Sequence, residues 1–149
     1  MRSGFKETRQ HALRVLSQAD VCILISIWDG LALDQNHHWL RRAETGAVMV
    51  RGRMGGSGQP FNMGEMTVTR ATVRLADGTV GFGYTAGREH RKAELVALLD
   101  AAFQRDPTLA ARLLPPLEQA LAEARQQDGR KAAATKVDFF TLVRGDNPK

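Results

Sequence analysis

The 149-residue sequence predicts an α+β fold: a central, largely antiparallel β-sheet with flanking N-terminal and C-terminal helices and a strand-like C-terminal tail. Three observations carry this. The stretch "TRATVRLADGTVGFGYTAG", Thr69 to Gly87, alternates in character around Asp77-Gly78, the strongest short-range mark of a β-hairpin. Before and after it, apolar residues recur at the spacing of amphipathic helices. With 43% hydrophobic residues, a chain of this length buries roughly 70% of its unfolded surface, enough for a core of its own.

In the first segment, Phe5 to Ser17, Ala12, Leu13 and Leu16 share one side and Arg9, Gln10 and Arg14 the other, which predicts a short amphipathic helix. Ser17 or Asp20 stands where the cap of a second helix belongs, running toward Gly30. Its run "VCILISIW", Val21 to Trp28, would suit a strand on propensity. It is assigned to a buried helix, with Cys22 as a small buried hydrophobe. From His38, "HWLRR", "AETG" and "AVMVRGRM" predict two strands around a tight turn. The glycine-rich segment Arg53 to Glu65 then reverses the chain, its glycines permitting unusual φ and close backbone approach.

A two-residue Asp77-Gly78 loop sets Leu75 opposite Val80, Val73 opposite Phe82 and Ala71 opposite Tyr84. One face is then apolar throughout: Ala71, Val73, Leu75, Val80, Phe82 and Tyr84. The other carries Arg70, Thr72 and Arg74 over Gly81 and Gly83. Arg51 and Arg53 join it if Val48, Val50 and Met54 point into the core. The expected sheet has one greasy face and one basic, glycine-floored face, open to a flat anionic object. Arg51, Arg53, Arg70 and Arg74 are thus the candidate anion- or partner-binding residues.

Beyond Gly87, "REHRKAELVALLDAAFQ" puts Leu95, Leu98, Leu99, Ala102 and Phe103 on one helical stripe. Asp106-Pro107 has the form of an N-cap with proline at the first helical position. Pro115-Pro116 is expected to break that short helix, with Pro116 starting the next, and "DGRKAAATK" to be a linker. In the tail, Val137, Phe139, Thr141 and Val143 face one way and Phe140 and Leu142 the other. Phe139, Phe140, Leu142 and Arg144 are candidates for docking onto another chain; an extra strand on the chain's own sheet is the alternative. Residues 1–149 read as a single domain without internal repeats, the tail occupying about 137–149.

The formal charge of +5 favours anionic partners, although 16 acidic residues are spread among 21 basic ones. One cysteine suits a reducing cytoplasm; the apolar run is too short to span a bilayer, and no basic-then-apolar leader opens the sequence. A soluble, cytoplasmic protein is expected. The glycine loop lacks the Gly-Lys-Ser/Thr ending of a Walker loop. A strand follows it, where a dinucleotide fingerprint needs a helix. His37 and His38 are adjacent and point apart. His90 and Glu94 share a helix face but lack a third ligand nearby, so neither a metal site nor a catalytic residue is assigned.

"RRAETG", "RMGGSG", "TRATVRLADGT", "AGREHRKAEL" and above all "VDFFTLVRGDN" resemble the PhnG family, subunits of the phosphonate C–P lyase core complex, over about Arg9 to Asn147. The resemblance implies a hetero-oligomer with PhnI-, PhnH- and PhnJ-like subunits in paired copies, this chain lying closest to the PhnI-like one. It also implies the chemistry. With an accessory ATP-binding-cassette protein, a phosphonate displaces adenine from ATP, giving an α-D-ribose 1-phosphonate 5-triphosphate. Later, a PhnJ-type subunit with S-adenosylmethionine and an iron–sulfur cluster cleaves the carbon–phosphorus bond.

Nucleosidase activity in the family goes with the PhnI type. The resemblance therefore makes this chain a non-catalytic or co-catalytic subunit that binds no cofactor itself. Its helical stretch at the position of Val21 onward also favours the second helix. Two alternatives from other classes stand beside it: a free-standing enzyme acting on a small phosphorylated compound, and a nucleic-acid-binding module. Against the latter stands the lack of an aromatic stacking platform.

Overall fold

The computed structural model describes residues 2–31 and 36–135, with side chains from Thr8 onward. The expected tail strand, with Phe139, Phe140, Leu142 and Arg144, lies outside the described residues. Two helices, α1 (Arg2–Gln18) and α2 (Val21–Gly30), precede three strands, β1 (His37–Arg53), β2 (Pro60–Leu75) and β3 (Val80–Ala86). Two more helices, α3 (His90–Arg105) and α4 (Pro107–Ala134), follow. The strands form one antiparallel sheet in the order β1-β2-β3, so the α+β architecture is as expected.

The core lies between the sheet and α3, completed by α1, α2 and α4. Ala71, Val73 and Leu75 enter it from β2, and Leu16, Leu24 and Leu117 close it from the helices. Every residue of the expected α3 stripe is buried. Asp20 caps α2 by accepting the Cys22 N–H at 2.7 Å. Only Leu24 and Trp28, one turn apart, are buried on this helix. Because α2 touches the core along a single stripe, it is amphipathic rather than buried all round. Cys22 is exposed, which corrects its expected burial.

Three other expectations are corrected. "HWLRRAETGAVMVRGR" is one long strand, not two strands around a turn. Its pairing with β2 slips between Trp39 and Arg41 and between Arg41 and Glu44, and bulges absorb the irregularity without reversing the chain. The prolines do not break α4, which also runs on through the supposed linker to Ala134. Pro115 and Pro116 remove the hydrogen bonds their N–H groups would have made to the carbonyls of Ala111 and Arg112. Burial of Leu114 and Leu117 on either side of the pair holds the helix in place. At its start, Asp106 accepts the Thr108 hydroxyl at 2.6 Å and its N–H at 2.9 Å, which keeps the carboxyl below the usual carboxylate range.

The third correction concerns the register between β2 and β3. Gly78 N–H bonds to the Leu75 carbonyl and Leu75 N–H to that of Thr79, so the loop holds three residues, Ala76, Asp77 and Gly78. Gly78, at φ +89°, takes the left-handed position at its end. Thr72 therefore faces Phe82, Ala71 faces Gly83 and Arg70 faces Tyr84, one residue off the two-residue-loop register. Gly81 and Gly83 turn inward; Phe82 and Tyr84 turn out, half exposed. The physical reason is α3. A Cβ on Gly81 would lie 2.0 Å from the Ala97 carbonyl oxygen, and one on Gly83 would lie 1.9 Å from that of Ala93. No side chain fits between this strand and this helix.

The close approach also satisfies two backbone groups of the sheet edge. Asp100, only 2% exposed, accepts the Phe82 N–H at 2.9 Å, and Gln104 donates to the Val80 carbonyl at 2.8 Å. Arg9 of α1 grips the same carboxylate with two bonds, Nε to Oδ1 at 2.9 Å and Nη2 to Oδ2 at 2.7 Å. Its guanidinium also stands over the Phe82 ring, 5.6 Å from the centroid. The hydrogen bond to Asp100 raises the Arg9 pKa above its ordinary value. On the arginine side, this contribution to stability is complete below the ordinary pKa and is lost only as pH rises through the raised one.

Gly83→Ala is expected to lower unfolding free energy by about 2–3 kcal/mol in urea titrations, because the helix backbone must move. Gly129→Ala, inside α4 with open space around it, is expected to raise it by up to about 1 kcal/mol. Asp100→Ala, which strands the Phe82 N–H and Arg9, is expected to cost about 3 kcal/mol by the same measurement.

Candidate partner-binding surface

Alternation along β2 sends Arg70, Thr72 and Arg74 to the sheet face opposite α3, and the observed register sets Tyr84 and Phe82 beside the first two. On β1, Glu44 stands opposite Arg70 and accepts its Nε at 2.9 Å and the Arg41 Nη1 at 2.8 Å. These exposed pairs add less than about 1 kcal/mol each to stability. Their effect on the surface is larger: one carboxylate is shared by two arginines, and Arg74 adds a third cation. The face is aromatic and cationic, where a glycine floor was expected. Arginine and tyrosine are the side chains that dominate the centres of protein interfaces.

Arg51 and Arg53 do not join this cluster. Arg51 pairs with Asn62, eight residues along β2 from Arg70, which is roughly 26 Å at the rise of a strand. Nor do Val50 and Met54 point into a core: both are exposed, Met54 by 74%. Strand β3 ends at Ala86, opposite Val68, and β1 and β2 continue past it as a two-stranded ribbon. The glycine loop at its tip reverses the chain as expected, but only over residues 54–59, since Pro60 to Glu65 belong to β2. Gly55 and Gly56 take positive φ, Gly58 N–H closes on the Met54 carbonyl at 2.8 Å, and Arg53 donates to the Gly58 carbonyl at 3.1 Å.

The histidines serve local contacts. His90 at the start of α3 bonds Thr45 at 2.9 Å, and Thr45 bonds the buried Thr69, which donates to the Gly87 carbonyl. Glu94, its expected neighbour, pairs with Arg91. His37 stands edge-on to Trp39, His38 lies opposite Arg74, and His11 pairs with Glu118 across α1 and α4. Among the described residues, no group of three or more His, Cys, Asp or Glu side chains could hold a metal ion, and no single helix is long and apolar enough to cross a membrane.

Phe82 and Tyr84 are the surface residues that sequence reasoning missed. The signal was present: Ala93, Ala97 and Ala101, at four-residue spacing, form a helix ridge that only glycines can meet.

The family described as phosphonate metabolism protein PhnG matches residues 7–145. A relative from Rhizobium meliloti (strain 1021), named as subunit PhnG of α-D-ribose 1-methylphosphonate 5-triphosphate synthase, is 44% identical over 142 residues, covering 93% of this chain and 90% of the relative. With its family match spanning nearly its whole length, the chain belongs to the PhnG family of phosphonate metabolism proteins.

Proposed function

We propose that the chain is the PhnG-type subunit of an α-D-ribose 1-methylphosphonate 5-triphosphate synthase within a cytoplasmic C–P lyase core complex. The observation that carries this is the 44% identity to a relative named as that subunit, over nearly the full length of both chains. In the synthase reaction a phosphonate oxygen forms a bond to the ribose carbon of ATP that bears adenine, and the carbon–nitrogen bond breaks to release the base. ATP and phosphonate are substrates of the complex. S-adenosylmethionine and an iron–sulfur cluster belong to its PhnJ-like member.

The role of this chain is to bind and stabilise the PhnI-like subunit, in an assembly that also holds PhnH- and PhnJ-like subunits. Its open sheet face supports that role, since Arg70, Arg74, Phe82 and Tyr84 present aromatic area and fixed positive charge together. The same cations can add charge-assisted bonds near a bound triphosphate. The tail residues Phe139, Phe140, Leu142 and Arg144 are proposed as a second docking element.

Co-expression with the other subunits is expected to yield a complex containing this chain and the PhnI-like subunit in equal amounts. That complex should release adenine from ATP and methylphosphonate in a chromatographic assay. The purified chain alone is expected to release none, and adenine release by it would refute the assignment. Combined Tyr84→Ala and Arg74→Glu substitution is expected to reduce recovery of the complex at least about tenfold, at unchanged thermal stability of the isolated chain.

A further inference from the structure

Beyond the pair of Val68 with Ala86, the hairpin of β1 and β2 continues alone, through the pair of Ala47 with Thr67 to that of Arg53 with Pro60. This ribbon is about 25 Å long and about 10 Å wide. A two-stranded hairpin by itself is marginally stable in water and needs a covered apolar face. Here one face is apolar, with Val48, Val50 and Met66, and the other is mixed, with Met49 beside Arg51 and opposite Glu65. Val48 pairs with Met66 and Met49 with Glu65, and neighbouring residues on a strand point apart. Met66, 43% exposed, therefore lies on one face and Met49, 50% exposed, on the other. Met63 lies over Gly52, where a Cβ would stand 2.4 Å from its sulfur. Four of the five methionines of the chain sit on this ribbon and its tip, and methionine is the side chain that adapts best to an apolar partner wall.

We propose that the ribbon is a docking finger that enters a cleft of another subunit of the synthase. The cleft has an aliphatic wall against the face of Val48, Val50 and Met66, and carboxylates facing Arg51 and Arg53 on the face of Met49. This rests on the reading of the chain as a synthase subunit and names the surface that reading requires. Area favours enclosure over a second copy laid flat on the ribbon. A copy laid on one face covers about 250 Å² of each chain, far below the ~800 Å² per partner of a stable interface. Enclosure covers roughly 500 Å² from the two faces alone, before edges and tip are added. The positive tip and the net charge of +5 also favour an acidic partner over a like-charged copy.

The test is co-expression of Met49→Asp and Met66→Asp, one per face, with the remaining subunits, beside the unaltered chain. Each is expected to cut recovery of the complex by at least about tenfold. Each isolated variant should keep the circular dichroism and melting temperature of the parent, since neither side chain belongs to the core. Amides of residues 47–53 and 61–67 are expected to exchange quickly in the isolated chain and to become protected on assembly. If the unaltered chain joins no other subunit, the subunit reading falls, and the finger with it. If the unaltered chain assembles and both variants assemble equally well, the finger alone is overturned. Impairment by only one variant overturns enclosure on two faces. Loss of a homodimer by light scattering, with unchanged recovery of the other subunits, overturns the proposal in favour of a second copy.

Discussion

The backbone contact between α3 and β3 is the constraint on which the rest of the structure depends. Gly81 and Gly83 leave no side chain between strand and helix, and the carbonyls of Ala97 and Ala93 occupy the space a Cβ would need. At that distance Asp100 can reach around the strand to the Phe82 N–H, and Gln104 to the Val80 carbonyl. Two backbone groups that this edge strand would otherwise leave free are thereby bonded from within the chain. Arg9 then ties α1 to the same carboxylate. One close approach thus sets the hairpin register, occupies two groups of the sheet edge and anchors the first helix.

The same contact determines what the protein shows to others. With glycines inward, Phe82 and Tyr84 must face outward, beside Arg70 and near Arg74. Farther along, β3 is too short to follow β2, and the remaining hairpin is left as a ribbon with methionine on both sides. Most of the large apolar side chains left exposed, Met49, Met63, Met66, Phe61, Phe82 and Tyr84 among them, therefore lie on the sheet and its projecting ribbon. A chain built this way fits membership in the PhnG family, a relative of which is named as a synthase subunit.

The sequence was legible where the deciding physics is local. Asp20 and Asp106 cap the helices their positions predict, and the α3 stripe from Leu95 to Phe103 is buried. It misled where distant packing overrides a local signal. Asp77-Gly78 suits a two-residue turn, yet the loop holds three residues, because the register is settled by alanines lying 16 to 24 residues along the chain from Asp77, at Ala93 and Ala101. Pro115-Pro116 reads as a break, but Leu114 and Leu117 hold the helix through it. Arg51 and Arg53 share a strand type with Arg70 and Arg74 but not a place, since the difference in strand length, 16 residues against 7, cannot be read from alternation.

Cross-linking the hairpin tests this account most directly. With Cys22→Ser as background, Thr72→Cys combined with Phe82→Cys is compared with Val73→Cys combined with Phe82→Cys under mild oxidation. Phe82 N–H is given to Asp100, so Thr72 and Phe82 form a non-hydrogen-bonded pair with side chains close enough for a disulfide. The first pair should close rapidly and leave the fold intact, while the second stays reduced. Preferential closure of the second would place Phe82 in the core and contradict the register from which both outward surfaces follow.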